Sequence, residues 1–145
     1  MKIGFIFALT IAVTGQVMYH VTQKSVAPGA HPVVSLIVFY LVAALATLPL
    51  FLLFPVEGGL AAELGKLNWA VIGVALSIVL IEIGFLLAYR AGGELSTAFV
   101  TTAAVVAIST LLIGAAFFDE SLSATKIGGI VLCLGGIALL TTKTA

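Results

Sequence analysis

Long apolar runs, broken by short polar or Gly/Pro interruptions, set the pattern of the chain. A helix that crosses a bilayer needs about 20 mostly apolar residues, and five runs approach that length. The first covers residues 3–19 and gives way to His20, Gln23 and Lys24. Pro28, Gly29 and Pro32 break the chain before the second, residues 33–54. Pro49 lies inside that run and predicts a kink, because proline removes an intrahelical hydrogen bond. Pro55 and Gly58-Gly59 end it, and the Glu57–Lys66 connection holds LAAEL, a candidate for a short interfacial turn. Trp69 opens the third run, residues 67–89, and Tyr89 closes it, as aromatic residues do at membrane interfaces. Gly92-Gly93 is a helix stop, since glycine readily takes the left-handed cap. The fourth run is 95–118, closed by Asp119-Glu120, and the fifth is 124–142, with Ser121 or Ser123 as its N-cap. Short links around Gly92 and Glu120 predict that runs three, four and five are antiparallel neighbours.

Composition agrees with the pattern. Of 145 residues, 62% are hydrophobic and 8% charged, against about 25% charged in soluble domains. The expected fold class is an all-α integral membrane protein, one transmembrane domain over residues 1–145. Zero net charge gives no sign of a nucleic-acid partner. Cys133 is the one cysteine, so an intrachain disulfide and a cysteine-built metal site are excluded. Lys2 before an apolar run has the look of a signal peptide, but Ala27-Pro28-Gly29-Ala30 is a poor cleavage site, so the first run is kept as a span.

The Lys and Arg residues do not choose an orientation. Five crossings put Lys2, Lys66 and Lys126 on one side and Lys24, Arg90 and Lys143 on the other. The positive-inside rule counts these residues, and here the sides balance. Either the protein inserts both ways and pairs with its inverted copy, or six charges are too few to show a bias.

Glu82 is the chemical exception. It sits within the apolar segment SIVLIEIGFLLAYR, whereas the other Asp, Glu, Lys and Arg residues lie near the ends of apolar segments. An ionisable group in hydrocarbon costs several kcal/mol unless neutral, paired or wet, so it marks a candidate functional site. Its helical neighbours would be Ile78, Val79, Phe85, Leu86 and, two turns on, Tyr89. Desolvation among them favours the neutral acid, which suits exchange of a proton for a cation. The alternative is a protonated, purely structural Glu82 bonded to a neighbouring helix. Arg90 is expected to snorkel outward rather than pair with it.

Gln16, Tyr19, His20 and Gln23 recur at helical spacing and share a face of the first run. Gln16 and Tyr19 are candidate pathway-lining residues with His20 at the mouth; the other reading of Tyr19 and His20 is as interfacial anchors, preferred for His20. His31 beside Pro32 is assigned no chemistry, and two histidines without a nearby carboxylate make a poor metal site. Thr101, Thr102, Ser109 and Thr110 are expected to bond within their own helix. No nucleophile–base–orienter set, phosphate-binding loop or nucleotide domain is visible, so neither an enzyme nor a cofactor is expected.

Helices associate in lipid through small residues. Gly128-Gly129 and Gly135-Gly136 lie seven residues apart, close to two turns, and form one strip for helix packing, within the protomer or across a dimer.

The run from Gly114 through Phe117-Phe118-Asp119-Glu120-Ser121, then Lys126-Ile127-Gly128-Gly129 to Gly135-Gly136, resembles the C-terminal hairpin of the drug/metabolite transporter superfamily, EamA-like type. Glu120 matches the family's turn Glu; Ile127, Gly128 and Gly135 match positions on its last helix. The segment Gly84–Ala91 resembles the end of the family's third helix. The five runs fit a single EamA-like unit, where full-length relatives carry two in inverted orientation. The last helix is also similar to that of small multidrug resistance proteins, which act as antiparallel dimers. Two features depart from these patterns. No proline stands near Ala107 where the family often has one mid-helix, and Ala12–His20 lacks the first-span Glu that small multidrug resistance proteins use for coupling.

The resulting expectation is a secondary transporter of small metabolites or cationic compounds in the cell membrane. It would be proton-coupled through Glu82 and work as an inverted homodimer or with a homologous second subunit. Two alternatives stand beside it: a subunit of a heteromeric flippase for lipid-linked sugars, and a non-transporting subunit that stabilises a partner.

Overall fold

The structure is a computed structural model and describes residues 3–121 and 123–141. Lys2, Thr142, Lys143 and Ala145, which enter the topology argument, lie outside the described residues. Every regular element among the described residues is helical: α1 Ile3–Lys24, α2 Pro32–Thr47, α3 Leu60–Leu64, α4 Trp69–Arg90, α5 Leu95–Phe117 and α6 Ala124–Thr141.

The helix ends follow from local chemistry. Pro32 sits in the first turn of α2, where its missing N–H is no loss. The expected kink at Pro49 takes a specific form: α2 stops at Thr47 and Leu48–Leu52 continue as a 3₁₀ helix. LAAEL is the five-residue α3, entered through Gly58 and Gly59, both at φ near +90° (89° and 90°), a conformation glycine alone adopts without strain. Asn68 caps α4, its Oδ1 accepting from the Ala70 N–H at 3.0 Å. Of the two serines proposed to cap α6, Ser123 does so, its Oγ accepting from the Lys126 N–H at 3.2 Å. Thr102, Ser109 and Thr110 donate to carbonyls one turn back in α5, as expected.

Among the described residues, four stretches are long and apolar enough to cross a membrane: Ile3–Lys24, Pro32–Leu52, Trp69–Arg90 and Leu95–Phe117. The fifth expected span corresponds to α6, whose apolar part, Ala124–Leu139, is shorter among the described residues.

The helices form two packing units. One contains α1, α5 and α6; the other contains α2, α3 and α4. In the first, α5 packs on both α1 and α6, and Lys24 at the end of α1 donates to the Gly93 carbonyl before α5 at 3.2 Å. In the second, α2 packs on α4.

Exposure is inverted relative to a water-soluble protein. Leu36, Leu86, Tyr89 and Ala104 are buried, but so are the polar His20, Gln23 and Ser35. Large apolar side chains such as Phe7, Leu41, Ile72 and Leu112 stand exposed along the helices. Soluble proteins hide such residues and keep polar ones outside. Lipid reverses the preference, because its tails solvate Leu and Phe while polar groups turn inward.

Candidate functional site

Glu82 is the acid that lies inside a long helix rather than at its end. It stands eight residues before Arg90 and thirteen after Trp69 on α4, about 12 Å and about 20 Å along the axis. Its Oε2 is sealed from the surface although most of α4 is exposed. The shielded face of α4 carries Glu82, Phe85, Leu86 and Tyr89, at helical spacing. Phe85 and Tyr89 stack, with ring centroids 5.9 Å apart and planes at 26°.

The shielded face of α2 carries Ser35, Leu36, Phe39 and Tyr40. Arg90 fixes how the two helices meet. Its Nη2 donates to the Ala30 carbonyl at 2.6 Å, so the end of α4 lies beside the start of α2 and the helices run antiparallel. Arg90 was expected to snorkel outward; the Ala30 carbonyl instead offers its charge a nearer acceptor, and the side chain is half-buried. From this tie the register follows. Glu82 lies about 12 Å back along α4 from Arg90 and Tyr40 about 12 Å along α2 from Pro32, so the tie brings the two toward the same level. The Tyr40 hydroxyl is sealed from the surface and has no hydrogen-bond partner among the described residues. Leu36 and Leu86, buried to 7% and 1% exposure, occupy the level between this pair and Arg90 and exclude water from that side.

A second polar group sits in the unit of α1 and α5. The His20 ring is buried, edge-on to Tyr19 at 4.8 Å and tilted against Phe99 at 4.7 Å between centroids. Gln23, one turn on, is buried as well. His20 was expected to be an interfacial anchor; the Phe99 ring on α5 covers it. Tyr19, His20 and Gln23 are thus brought together, while Gln16, one turn deeper in α1, is exposed.

The four glycines of α6 remain open: a Cβ built on Gly128, Gly129, Gly135 or Gly136 would meet no atom within 4 Å. α6 packs on α5 without using this strip. Gly114 of α5 behaves differently. It is buried, and the Glu120 carboxylate covers it so closely that a Cβ would stand 3.0 Å from Oε2. The same turn places Glu120 N–H on the Gly114 carbonyl at 3.1 Å and holds Asp119 at φ 52°. Glu120 is therefore a closing element of the α5–α6 turn, with Lys126 Nζ 4.0 Å from its carboxylate. No three His, Cys, Asp or Glu side chains converge as a metal-holding group among the described residues.

Two residues of these groups were not anticipated. Phe99 carried no sequence signal. Tyr40 did: a hydroxyl-bearing aromatic in the middle of an apolar run, away from the interfaces where Tyr usually sits.

Fold and exposure define a helical protein whose apolar helices suit a membrane. Comparison with known proteins adds no family to that class: no family model, no curated protein and no solved structure matches the chain.

Proposed function

We propose that the chain is a secondary transporter of small metabolites or cationic compounds in the cell membrane, coupled to protons through Glu82. The observation that carries this reading is the sealed Glu82 oxygen within a long apolar helix. A buried carboxyl in such surroundings is stable when protonated and gains a reason to ionise when a cation arrives, which is the chemistry of exchange. Tyr19, His20 and Gln23 form a second polar group suited to a pathway lining, whereas the exposure of Gln16 gives it no such place within the protomer.

The working unit in this reading has five crossings and pairs with an inverted copy. α6 has 18 residues and extends about 27 Å, close to the thickness of a hydrocarbon core. The antiparallel α2–α4 pair fits alternating crossings. The open glycine strip of α6 supports close approach by a helix of a second copy. Inverted repeats with sites near the midplane are a general transporter design.

The test uses proteoliposomes holding a pH-sensitive dye, with a panel of organic cations added outside. Wild type is expected to move protons against at least one of them, and Glu82→Gln to abolish the movement while still inserting and associating. Undiminished exchange by Glu82→Gln refutes the assignment. Tags on Ala145 are expected on both sides of the membrane; a single orientation refutes dual insertion.

A further inference from the structure

The buried hydroxyl of Tyr40 has no role in packing that phenylalanine would not fill equally well. A hydroxyl removed from solvent without a partner is costly, by roughly the free energy of its lost hydrogen bonds to water. It persists where a partner is available part of the time. The groups at hand in this unit are few. On α4, the element packed against α2, the titratable or charged side chains are Glu82, Tyr89 and Arg90. Arg90 is engaged with Ala30 near the start of α2, and Tyr89 stacks on Phe85 nearly two turns beyond Glu82. On α2, Tyr40 is the titratable side chain, and His31 at its N-cap is exposed. The register leaves Glu82 as the group level with the Tyr40 hydroxyl.

We infer that Tyr40 is a positioning residue for Glu82, its hydroxyl standing opposite the carboxyl across the α2–α4 interface and donating a hydrogen bond to it when the proton leaves. This inference rests on the proposed role of Glu82. An ionised carboxylate needs donors, and α4 supplies none from its backbone, whose N–H groups in mid-helix are used by the helix itself. A phenol is well suited: it donates readily, yet its ring keeps the surroundings apolar when the acid is neutral. Leu36 and Leu86 bar water from the Arg90 side, so solvent does not easily replace the donor there. Tyr40 thus sets how readily Glu82 gives up its proton without itself changing charge.

The experiment measures Glu82 directly and needs no substrate. Dicyclohexylcarbodiimide adds to protonated carboxyl groups in apolar surroundings, forming an O-acylisourea whose acyl group migrates from oxygen to nitrogen to give a stable N-acylurea. Purified full-length protein in lipid vesicles is labelled at fixed pH, alongside Glu82→Gln, Tyr40→Phe and Tyr89→Phe. In parallel, infrared spectra record the C=O stretch of the protonated carboxyl, assigned to Glu82 by its loss in Glu82→Gln. Tyr40→Phe is nearly isosteric, and circular dichroism verifies its fold. Without the donor the ionised form is less favoured, so at a pH where the wild-type infrared band shows Glu82 mostly ionised, labelling is expected to quicken by up to roughly tenfold. The infrared band is expected to grow at the same pH, and Tyr89→Phe to change neither. Glu82-dependent labelling and band that are unchanged in Tyr40→Phe overturn this inference and leave the Glu82 reading intact. An equal change in Tyr89→Phe also overturns it, because general loosening then explains the effect. Labelling and band that survive Glu82→Gln, or are missing from wild type, overturn the buried-acid reading and this inference with it.

Discussion

Removing the Arg90 guanidinium tests the α2–α4 pair at the point that sets its register. Nη2 donates to the Ala30 carbonyl at 2.6 Å, a short bond carrying a full charge. Arg90→Leu keeps an apolar stem and deletes this donor. A hydrogen bond involving a charged group contributes about 1.5–3 kcal/mol, and a cation in the last turn of a helix adds about 0.3–1 kcal/mol. One term opposes these. The Arg90 Nε is sealed from the surface and has no hydrogen-bond partner among the described residues. Deleting that desolvated group recovers about 1 kcal/mol. The balance predicts a loss of about 2 kcal/mol, enough to shift an unfolding equilibrium by more than tenfold. Arg90→Lys retains the charge at the helix end but not the fork that reaches Ala30, so it is expected to lose less.

The assay is reversible unfolding in mixed micelles titrated with sodium dodecyl sulfate, followed by circular dichroism. The order expected is wild type, then Arg90→Lys, then Arg90→Leu. An Arg90→Leu protein as stable as wild type, within about 0.5 kcal/mol, refutes the reasoning, because surface substitutions behave in that way. The carbodiimide reaction at Glu82 supplies a second readout. If the Ala30 tie holds Tyr40 level with Glu82, Arg90→Leu alters that rate as well as the stability.

Two further predictions concern the unit of α1, α5 and α6. Alanine gains up to about 1 kcal/mol over glycine within a helix, but a Cβ on Gly114 would stand 3.0 Å from Glu120 Oε2. Gly114→Ala is therefore expected to stabilise less in wild type than in a Glu120→Ala background, as read by the same unfolding titration; equal gains in both refute the contact. Gly135→Leu places a large side chain on the open strip of α6 and is expected to weaken association of copies, measured by energy transfer between labelled chains in vesicles. Unaltered transfer refutes a role for the strip in pairing.

Several helix ends were legible because the residues that end helices differ sharply from those that fill them. Pro32 at the start of α2, Gly92 after α4 and Ser123 before α6 all stand where the sequence puts them. Gly92 also has the positive φ expected of a helix stop, at 89°. The depth of individual polar residues was less legible. Spacing placed Gln16, Tyr19, His20 and Gln23 on one face, but it contains nothing about Phe99, which covers His20 from another helix. The partner of Arg90 was hidden for the same reason. Its acceptor, the Ala30 carbonyl, is 60 residues away and carries no side-chain signal.

Glu82 and Tyr40 show why one half of a buried pair can be read and the other not. In water, the packed face of a helix is marked by apolar residues against polar ones. In lipid that contrast is largely lost, since the tails are as apolar as the side chains they meet. α2 is apolar nearly all round, so its sequence does not say which face turns to α4. An acid overcomes this silence because charge is expensive in hydrocarbon, and so Glu82 stood out. Tyr40 is mostly ring, costs little to place, and gains meaning only beside the acid. That asymmetry bears on the proposed mechanism. A donor that is nearly apolar when idle can sit opposite a neutral carboxyl without drawing in water, and still be present when the proton leaves. A lysine or arginine there would hold Glu82 ionised, and an alanine would offer the anion nothing. A tyrosine leaves both protonation states within reach, which the proposed proton exchange requires.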